Sequence, residues 1–256
     1  MDILAYNRDA WNRMVAAGNR WTVPVTSDEI AAARRGEWSI VLTPCKPVPC
    51  SWFPDMRDLN VLALASGGGQ QGPILAAAGA QVTVLDNSPA QLARDREVAD
   101  REGLPLTTVQ GDMANLGEFE SEFFDLVVHP CSNCFVPDVR PVWREAFRVL
   151  RHGGALLSGF CDPVLFAIDR ELEKRGIAQL KHVVPYSDVA TLTDQERRRL
   201  TDAGEPLVFG HTLEDQIRGQ TDVGFLIAGF YGDKLDDGDL VSRFLPCVCA
   251  TRALKP

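Results

Sequence analysis

The sequence contains no apolar run that approaches the roughly 20 residues needed to cross a bilayer. Its N-terminus also lacks the charged and apolar regions of a secretory signal peptide. Internal repeats and low-complexity tracts are absent as well, so one domain is expected over residues 1–256. These absences favour a cytoplasmic protein with no membrane partner.

An excess of basic residues is also missing. The formal net charge is −9 and the isoelectric point is about 5.0, whereas nucleic-acid binding usually depends on clustered Lys and Arg. The densest basic cluster, Arg197 to Arg199, follows Glu196 and is typical of a solvated helix face. No nucleic-acid partner is therefore expected.

The seven cysteines do not form the paired motifs of a zinc site. Cys131 and Cys134 are spaced C-x-x-C, but a second well-spaced pair is lacking, and Cys247-x-Cys249 fits plain strand alternation. No metal is expected. Free thiols that are buried or line a pocket are the better interpretation.

The most informative stretch is a strand, a glycine loop, a helix and a second strand. Val61 to Ala65 form an apolar run that ends just before Gly67, Gly68 and Gly69. Pro73 fits the first turn of a helix, and the next strand ends at Asp86. Glycines let the backbone approach a ligand closely, and an acid about 20 residues further on can accept hydrogen bonds from ribose hydroxyls. The pattern predicts a nucleoside site.

The loop alone leaves the cofactor open. Gly67-x-Gly69-x-x-Gly72 matches the dinucleotide fingerprint, so an NAD(P)-dependent oxidoreductase is one alternative. Downstream come Gly111-Asp112-Met113 after a third strand, Phe124 to His129 as a fourth, and a two-glycine turn at 153–154 before a fifth. In this order the segments resemble the class I S-adenosylmethionine-dependent methyltransferases over most of the chain.

This resemblance implies a fold and a division of the chain. The fold is α/β, with a seven-stranded, mostly parallel Rossmann-like sheet whose C-terminal strand is antiparallel. Residues 1–56 would form an N-terminal helical lid, 57–161 the cofactor-binding core, 162–211 a substrate-side insertion after strand 5, and 212–256 a C-terminal helix and strands. Four of the five tryptophans lie in residues 1–56, as a cover packed over something would require.

The resemblance also implies S-adenosyl-L-methionine as the cofactor and a set of contacts to it. Asp86 would bind the ribose, and Asp112 with Met113 would bind the adenine. The family often has an acid at the position of Ala63 and a glycine at that of Ala65, so a contact to the methionine end is expected from elsewhere. The expected cofactor contacts are Trp21, Ala65, Ser66, Gly67, Gly69, Gln70, Asp86, Asn87, Gln91, Gly111, Asp112, Met113, His129, Pro130 and Asn133.

For the methyl acceptor, the loop after the fourth strand is the expected place, because ligands of parallel sheets bind beyond the carboxyl ends of the strands. His129, Tyr186 and His211 are the candidate catalytic residues. Gln216 and Gln220 share one helix face, which is expected to be solvent-facing, although a pocket role stays open. The loop from His129 does not match the motif of base-flipping amino-methyltransferases, so the expected acceptor is a small molecule. A non-catalytic S-adenosylmethionine-binding protein is a further alternative.

Overall fold

A seven-stranded sheet forms the centre of the molecule in the computed structural model, which describes residues 1–256. The strand order is β3-β2-β1-β4-β5-β9-β8, and β9 runs antiparallel to both of its neighbours, β5 and β8. The predicted fold class is confirmed. The sheet strands are β1 (Asn60–Leu64), β2 (Gln81–Asp86), β3 (Leu106–Gln110), β4 (Phe124–His129), β5 (Leu150–Cys161), β8 (Leu226–Asp233) and β9 (Val248–Leu254). A separate hairpin pairs β6 (Tyr186–Ser187) with β7 (Phe209–Gly210).

Helices cover both faces of the sheet, as the apolar strands require. The helices are α1 (Ile3–Ala16), α2 (Ser27–Arg34), α3 (Gln71–Ala77), α4 (Pro89–Glu102), α5 (Arg140–Val149), α6 (Val164–Ala167), α7 (Arg170–Glu173), α8 (Asp188–Thr191), α9 (Asp194–Asp202) and α10 (Gly219–Asp222). None of them is long and apolar enough to pass through a membrane.

The two faces of the sheet carry separate apolar cores. On one face, residues such as Val61 and Leu126 pack with α3, α4 and the segment of residues 40–56. On the other face, α5 buries an apolar stripe that includes Trp143. The indole nitrogen of Trp143 donates to the carbonyl oxygen of Asp215 at 3.0 Å, so this side chain is both buried and hydrogen-bonded. The two cores hold the carboxyl ends of β1 to β5 in fixed positions at one edge.

Local capping explains two differences from the sequence prediction. The sequence Ser27-Asp28-Glu29 predicts Ser27 as the cap of α2, but the N-cap is Thr26, whose side chain and that of Glu29 form a capping box. The sequence also predicts one helix from Asp162 to about Arg175, but Ile168 is extended there. The side chain of Asp169 then accepts hydrogen bonds from the next helix, so the chain forms two short helices.

The C-terminal part also differs from the prediction. The sequence predicts short strands at 181–184 and 206–209, but the structure has the two-residue strands β6 and β7 instead. It also predicts a regular helix from Thr212 to Thr221, which begins in the structure as a π-helical turn, Glu214–Arg218. The solvent-facing prediction for Gln216 and Gln220 is wrong, because these side chains are only 1% and 0% exposed. Their amides are satisfied by buried polar partners, a pairing that helical spacing does not reveal.

Candidate active site

A cavity of about 300 Å³ opens at the carboxyl ends of the parallel strands. Its floor is made by the loops that follow β1, β2, β3 and β4, and its roof comes from α1, from Arg20 and Trp21, and from residues 41–44. Because each of these segments ends or begins at the same sheet edge, residues distant in sequence meet there. The roof segments all belong to residues 1–56, which we call the cover.

The glycine loop lies between two carboxylates, those of Asp86 and Asp95, and the cover. The Gly67 N–H donates to Asp86 Oδ2 at 3.0 Å, and the Gly68 N–H donates to Asp95 Oδ2 at 2.9 Å. A Cβ on Gly68 would lie 2.4 Å from the carbonyl oxygen of Trp21. A side chain at this position would therefore push the cover away from the loop.

Asp86 is the acid at the end of β2, and its carboxylate is buried. Its other oxygen, Oδ1, accepts from the Ser88 N–H at 2.8 Å. Burial raises the pKa of Asp86 to about 6, although hydrogen bonds from Ser88, Gly67 and Asn87 oppose that rise. Each carboxylate oxygen retains a lone pair and Asp86 lines the cavity, so it can accept hydrogen bonds from the hydroxyls of a ribose.

The rest of this end of the cavity also fits an adenosine group. Gln91 lines the cavity, and its Oε1 is buried without a hydrogen-bond partner. A Cβ on Gly67 would lie 2.8 Å from Gln91 Cβ, so the cradle requires glycine. Gly111, Asp112 and Met113 line the cavity beyond β3. These features suit an adenosine cofactor, which needs a free hydrogen-bond acceptor, a glycine loop that it can approach closely, and an acid that can bind the ribose hydroxyls.

Comparison with known proteins decides the family. The chain is 50% identical over 253 residues to the methyltransferase YbaJ of Bacillus subtilis (strain 168), a match that spans 99% of this chain and 98% of that protein. The chain belongs to the class I, S-adenosylmethionine-dependent methyltransferases. Its cofactor is S-adenosylmethionine, as predicted, and the dinucleotide oxidoreductase is not the family found.

More distant similarities agree. The methyltransferase domain family matches residues 62–158. The arsenite methyltransferase of Homo sapiens is 32% identical over 112 residues, which is 38% of this chain and 29% of that protein. In structure, the chain is similar to an S-adenosylmethionine-dependent methyltransferase from Mesorhizobium loti, with a TM-score of 0.61 and 20% identity over 79% of this chain and 94% of the other.

Most of the expected cofactor contacts of the methyltransferase lie in the lining of the cavity. Those in the lining are Trp21, Ala65, Ser66, Gly67, Gln70, Asp86, Asn87, Gln91, Gly111, Asp112, Met113 and Pro130. Gly69, His129 and Asn133 lie outside it. Gly69 instead packs against α4 and the cover, because a Cβ there would lie 2.9 Å from the Arg94 carbonyl and 3.0 Å from Pro24.

His129 and Asn133 face the protein interior instead. His129 is fully buried, and its Nδ1 lies 2.9 Å from the Leu64 carbonyl oxygen. Burial lowers the pKa of His129 to about 4, so its ring is neutral near pH 7. The side-chain amide of Asn133 donates to Gln216 Oε1 at 3.0 Å. The sequence placed His129 and Asn133 correctly at the end of β4 and in the loop after it, but it did not indicate which way their side chains point.

The other two candidate catalytic residues also lie outside the lining of the cavity. The Tyr186 hydroxyl donates to Asp188 Oδ1 at 2.7 Å, and burial together with this hydrogen bond raises its pKa. His211 Nε2 lies 3.0 Å from the Asn133 carbonyl oxygen, and burial lowers the pKa of its ring. The structure therefore does not bring His129, Tyr186 and His211 together over one ligand.

The other end of the cavity, which we call the acceptor end because the acceptor is expected there, has a lining of which the sequence indicated only free thiols and the loop after β4. It consists mainly of apolar groups and thiols: Val41, Leu42, Thr43, Pro44, Cys131, Cys134, Phe135, Cys161, Leu235 and Val248. The cover contributes Leu4, Asn7, Trp11 and Arg20 to the same cavity. The concentration of tryptophans indicated a cover, but no pattern indicated which of its residues point inward.

Three thiols of this lining belong to one group. Hydrogen bonds from the thiols of Cys131 and Cys134 hold the pKa of Cys161 well below its usual range, and the positive charge of Arg170 acts in the same direction. The same contacts raise the pKa of Cys131 and Cys134. No set of three or more His, Cys, Asp or Glu side chains is arranged to hold a metal ion.

Proposed function

We propose that this methyltransferase transfers a methyl group to a small, largely apolar molecule bound at the acceptor end of the cavity. The observation that carries the proposal is the lining of that end, which is closed over by the cover and contains apolar side chains and thiols but no charged side chain. A pocket of this kind suits a small ligand whose burial removes apolar surface from water. The excess of negative charge further disfavours a nucleic acid.

The role of each residue in the cavity follows from its position along the edge of the sheet. When bound, S-adenosylmethionine supplies a methyl group activated by its sulfonium. Asp86 accepts hydrogen bonds from the ribose, and Met113 with Asp112 binds the adenine edge. The cover excludes water from the other end and holds the acceptor close, and such proximity supplies much of the rate of a bimolecular transfer.

The chemistry of the acceptor end limits the kind of acceptor. The only acids of the lining, Asp86 and Asp112, belong to the adenosine end, and no histidine, tyrosine or lysine lines the cavity. The favoured acceptor atom therefore carries a free lone pair near pH 7 without the help of a general base. A soft heteroatom such as sulfur meets this condition better than an alcohol does, because an alcohol must lose its proton during the transfer.

A second candidate acceptor is a soft, thiophilic centre such as trivalent arsenic. It is favoured by one observation, the group of Cys131, Cys134 and Cys161 in the lining. The name of the human arsenite methyltransferase, to which part of this chain is similar, points the same way. Two thiols suffice to bind trivalent arsenic, since each displaces one hydroxide as water, so a preformed metal site is not needed.

The test is a transfer assay with methyl-labelled S-adenosylmethionine. The protein is incubated separately with a small-molecule extract, with total RNA, with DNA, with protein and with arsenite plus excess thiol. Label that appears in the small-molecule extract supports the main proposal, and label in an arsenic species supports the second. Label only in RNA, DNA or protein would contradict both.

Matched cysteine variants separate the two candidates. The double variant Cys131→Ser and Cys161→Ser keeps the size of the side chains but leaves only one thiol of the group, and it should abolish transfer to arsenic while lowering transfer to an apolar acceptor less than about tenfold. Cys50→Ser is the control, because Cys50 is exposed and lies outside the lining. If the protein binds S-adenosylhomocysteine but labels no fraction, it is a non-catalytic binder and the proposal fails.

A further inference from the structure

Arg20 is the basic residue of the cavity lining, which contains no lysine, histidine or second arginine. Its guanidinium makes no ion pair and no hydrogen bond with the protein, and its only charge-related contact is with the Trp21 ring, whose centroid lies 4.4 Å away. A guanidinium has five N–H donors in a planar fork that matches a carboxylate. Arg20 therefore places an unused anion-binding group at the cofactor cavity.

The backbone of Arg20 is fixed to the glycine loop. The side-chain amide of Gln70 donates to the carbonyl oxygens of Arg20 at 2.9 Å and Val23 at 3.0 Å. Asn19 caps this short turn by accepting from the Trp21 N–H. Arg20 is thus held beside the loop that follows β1, although its side chain is exposed.

The strand order shows which part of the cofactor lies near that loop. Along β3-β2-β1-β4, the adenine residue Asp112 follows β3 and the ribose acid Asp86 follows β2. The loop after β1 is next in line, so it faces the methionine part of a cofactor that lies along this edge. The acid that the family often has near this place is absent. Position 63 is an alanine, and it is fully buried in the core.

We propose that Arg20 binds the α-carboxylate of the methionine part of the cofactor. This carboxylate is the one anionic group of S-adenosylmethionine, and Arg20 is the only basic residue that lines the cavity. The assignment gives the N-terminal cover a direct part in cofactor binding. It depends on the cofactor, which the family establishes, and not on the proposed acceptor.

The test compares two ligands by calorimetry, namely S-adenosylhomocysteine and 5′-methylthioadenosine, which has the same adenosine and thioether but no amino acid. Arg20→Met should weaken S-adenosylhomocysteine about tenfold and leave 5′-methylthioadenosine within about twofold, since a hydrogen bond to a charged group is lost only with the first ligand. Arg20→Lys should recover part of the affinity. Arg35→Met is the control, because Arg35 is an exposed cover residue paired with Glu37 outside the cavity.

Each other result has a clear meaning. Equal weakening of both ligands by Arg20→Met would show that Arg20 only supports Trp21 or the loop, and it would overturn the proposal. Unchanged binding of S-adenosylhomocysteine would overturn it as well. Asp86→Asn should weaken both ligands, because both contain the ribose. Failure of either ligand to bind the wild-type protein would instead count against the cofactor site itself.

Discussion

Ala65 has an unusual backbone conformation at the first position of the cofactor loop. Its φ is +47°, a left-handed value that suits glycine, and its N–H donates to the Leu85 carbonyl oxygen at 2.7 Å. A left-handed conformation costs a residue with a Cβ roughly 1–2 kcal/mol. The family often has glycine at this position, so the loop keeps the family's shape at some cost in stability.

A matched pair of alanine-to-glycine substitutions tests this strain. Ala65→Gly should raise the free energy of unfolding by about 0.5 kcal/mol, because relief of the strain exceeds the greater entropy of the unfolded glycine chain. Ala63→Gly, two residues earlier in the interior of β1, should lower it by about 1 kcal/mol or more. Urea denaturation measures both. Equal losses in the two variants would show that Ala65 is not strained.

Asp95 is a second buried acid behind the glycine loop. Its Oδ2 accepts from the Gly68 N–H, while Oδ1 has no partner. Burial raises the pKa of Asp95 to about 8, and the neighbouring charge of Asp86 acts in the same direction. The carboxyl is therefore mainly protonated near pH 7.

Asp95 should make the stability of the protein fall with rising pH. The folded pKa of about 8 is higher than the ordinary value of 3.8, so the stabilisation is complete below about pH 4 and is lost as the pH rises through 8. The loss should be on the order of a few kcal/mol, and Asp86 adds to it between about pH 4 and 6. Asp95→Asn should flatten the part of the profile above pH 6 in urea denaturation, while Asp100→Asn, an exposed position on the same helix, should not. A wild-type profile that rises from pH 6 to 9 would contradict this account.

At the scale of residues, sequence patterns located the cofactor half of the site better than the acceptor half. Asp86 and Met113 follow strands whose apolar runs are readable, and loops after parallel strands share one edge. His129 also follows such a strand, yet its ring turns inward to the Leu64 carbonyl. Local pattern fixes where a residue sits on an element, but only tertiary packing decides which way its side chain points.

Side-chain amides join helix α1 of the cover to the rest of the molecule. The Asn7 amide donates to the carbonyl oxygens of Phe135 at 3.1 Å and Leu207 at 3.0 Å, and its Oδ1 accepts from the Leu207 N–H at 2.8 Å. At the adenosine end, Asn87 donates to the Leu4 carbonyl oxygen at 2.7 Å. Helix α1 thus connects the insertion to the cofactor loops. These contacts span between 83 and 200 residues of sequence, so no local pattern predicts them.

Asn7→Ala should loosen the cover at its acceptor end. The substitution removes three hydrogen bonds and leaves buried backbone groups without partners, which costs roughly 1–3 kcal/mol. The amides of α1 should then exchange with solvent about tenfold faster or more in hydrogen-exchange mass spectrometry. Asp9→Ala, an exposed neighbour on the same helix, is the control. Equal exchange of α1 in wild type and Asn7→Ala would show that these bonds do not hold the cover closed.

At the scale of the element, the insertion is where sequence reasoning was least accurate. Its strands are only two residues long, and its helices depend on single caps such as Asp169. Short elements contain too few residues for an apolar period to be visible. The sheet was predictable for the opposite reason, because its central strands β1, β2, β4 and β5 are mostly buried and rich in apolar residues.

At the scale of the whole molecule, the cavity exists only because the sheet edge and the cover meet. The sheet edge contributes Asp86 and the glycine loop, while the cover contributes Arg20, Trp21 and much of the end where we propose that the acceptor binds. Cofactor binding should therefore stabilise two parts of the chain that are far apart in sequence. This coupling is the central claim of the account.

Hydrogen exchange of the whole chain, with and without S-adenosylhomocysteine, tests this claim most directly. We predict slower exchange both at the sheet edge, in residues 65–71 and 86–91, and in the cover, in residues 3–23 and 41–44. Residues 194–202, the charged helix α9 of the insertion, should be unchanged, and NAD should protect neither region. Protection confined to the sheet edge would show that the cover is not part of the cofactor site, and equal protection by NAD would contradict the assignment of the cavity.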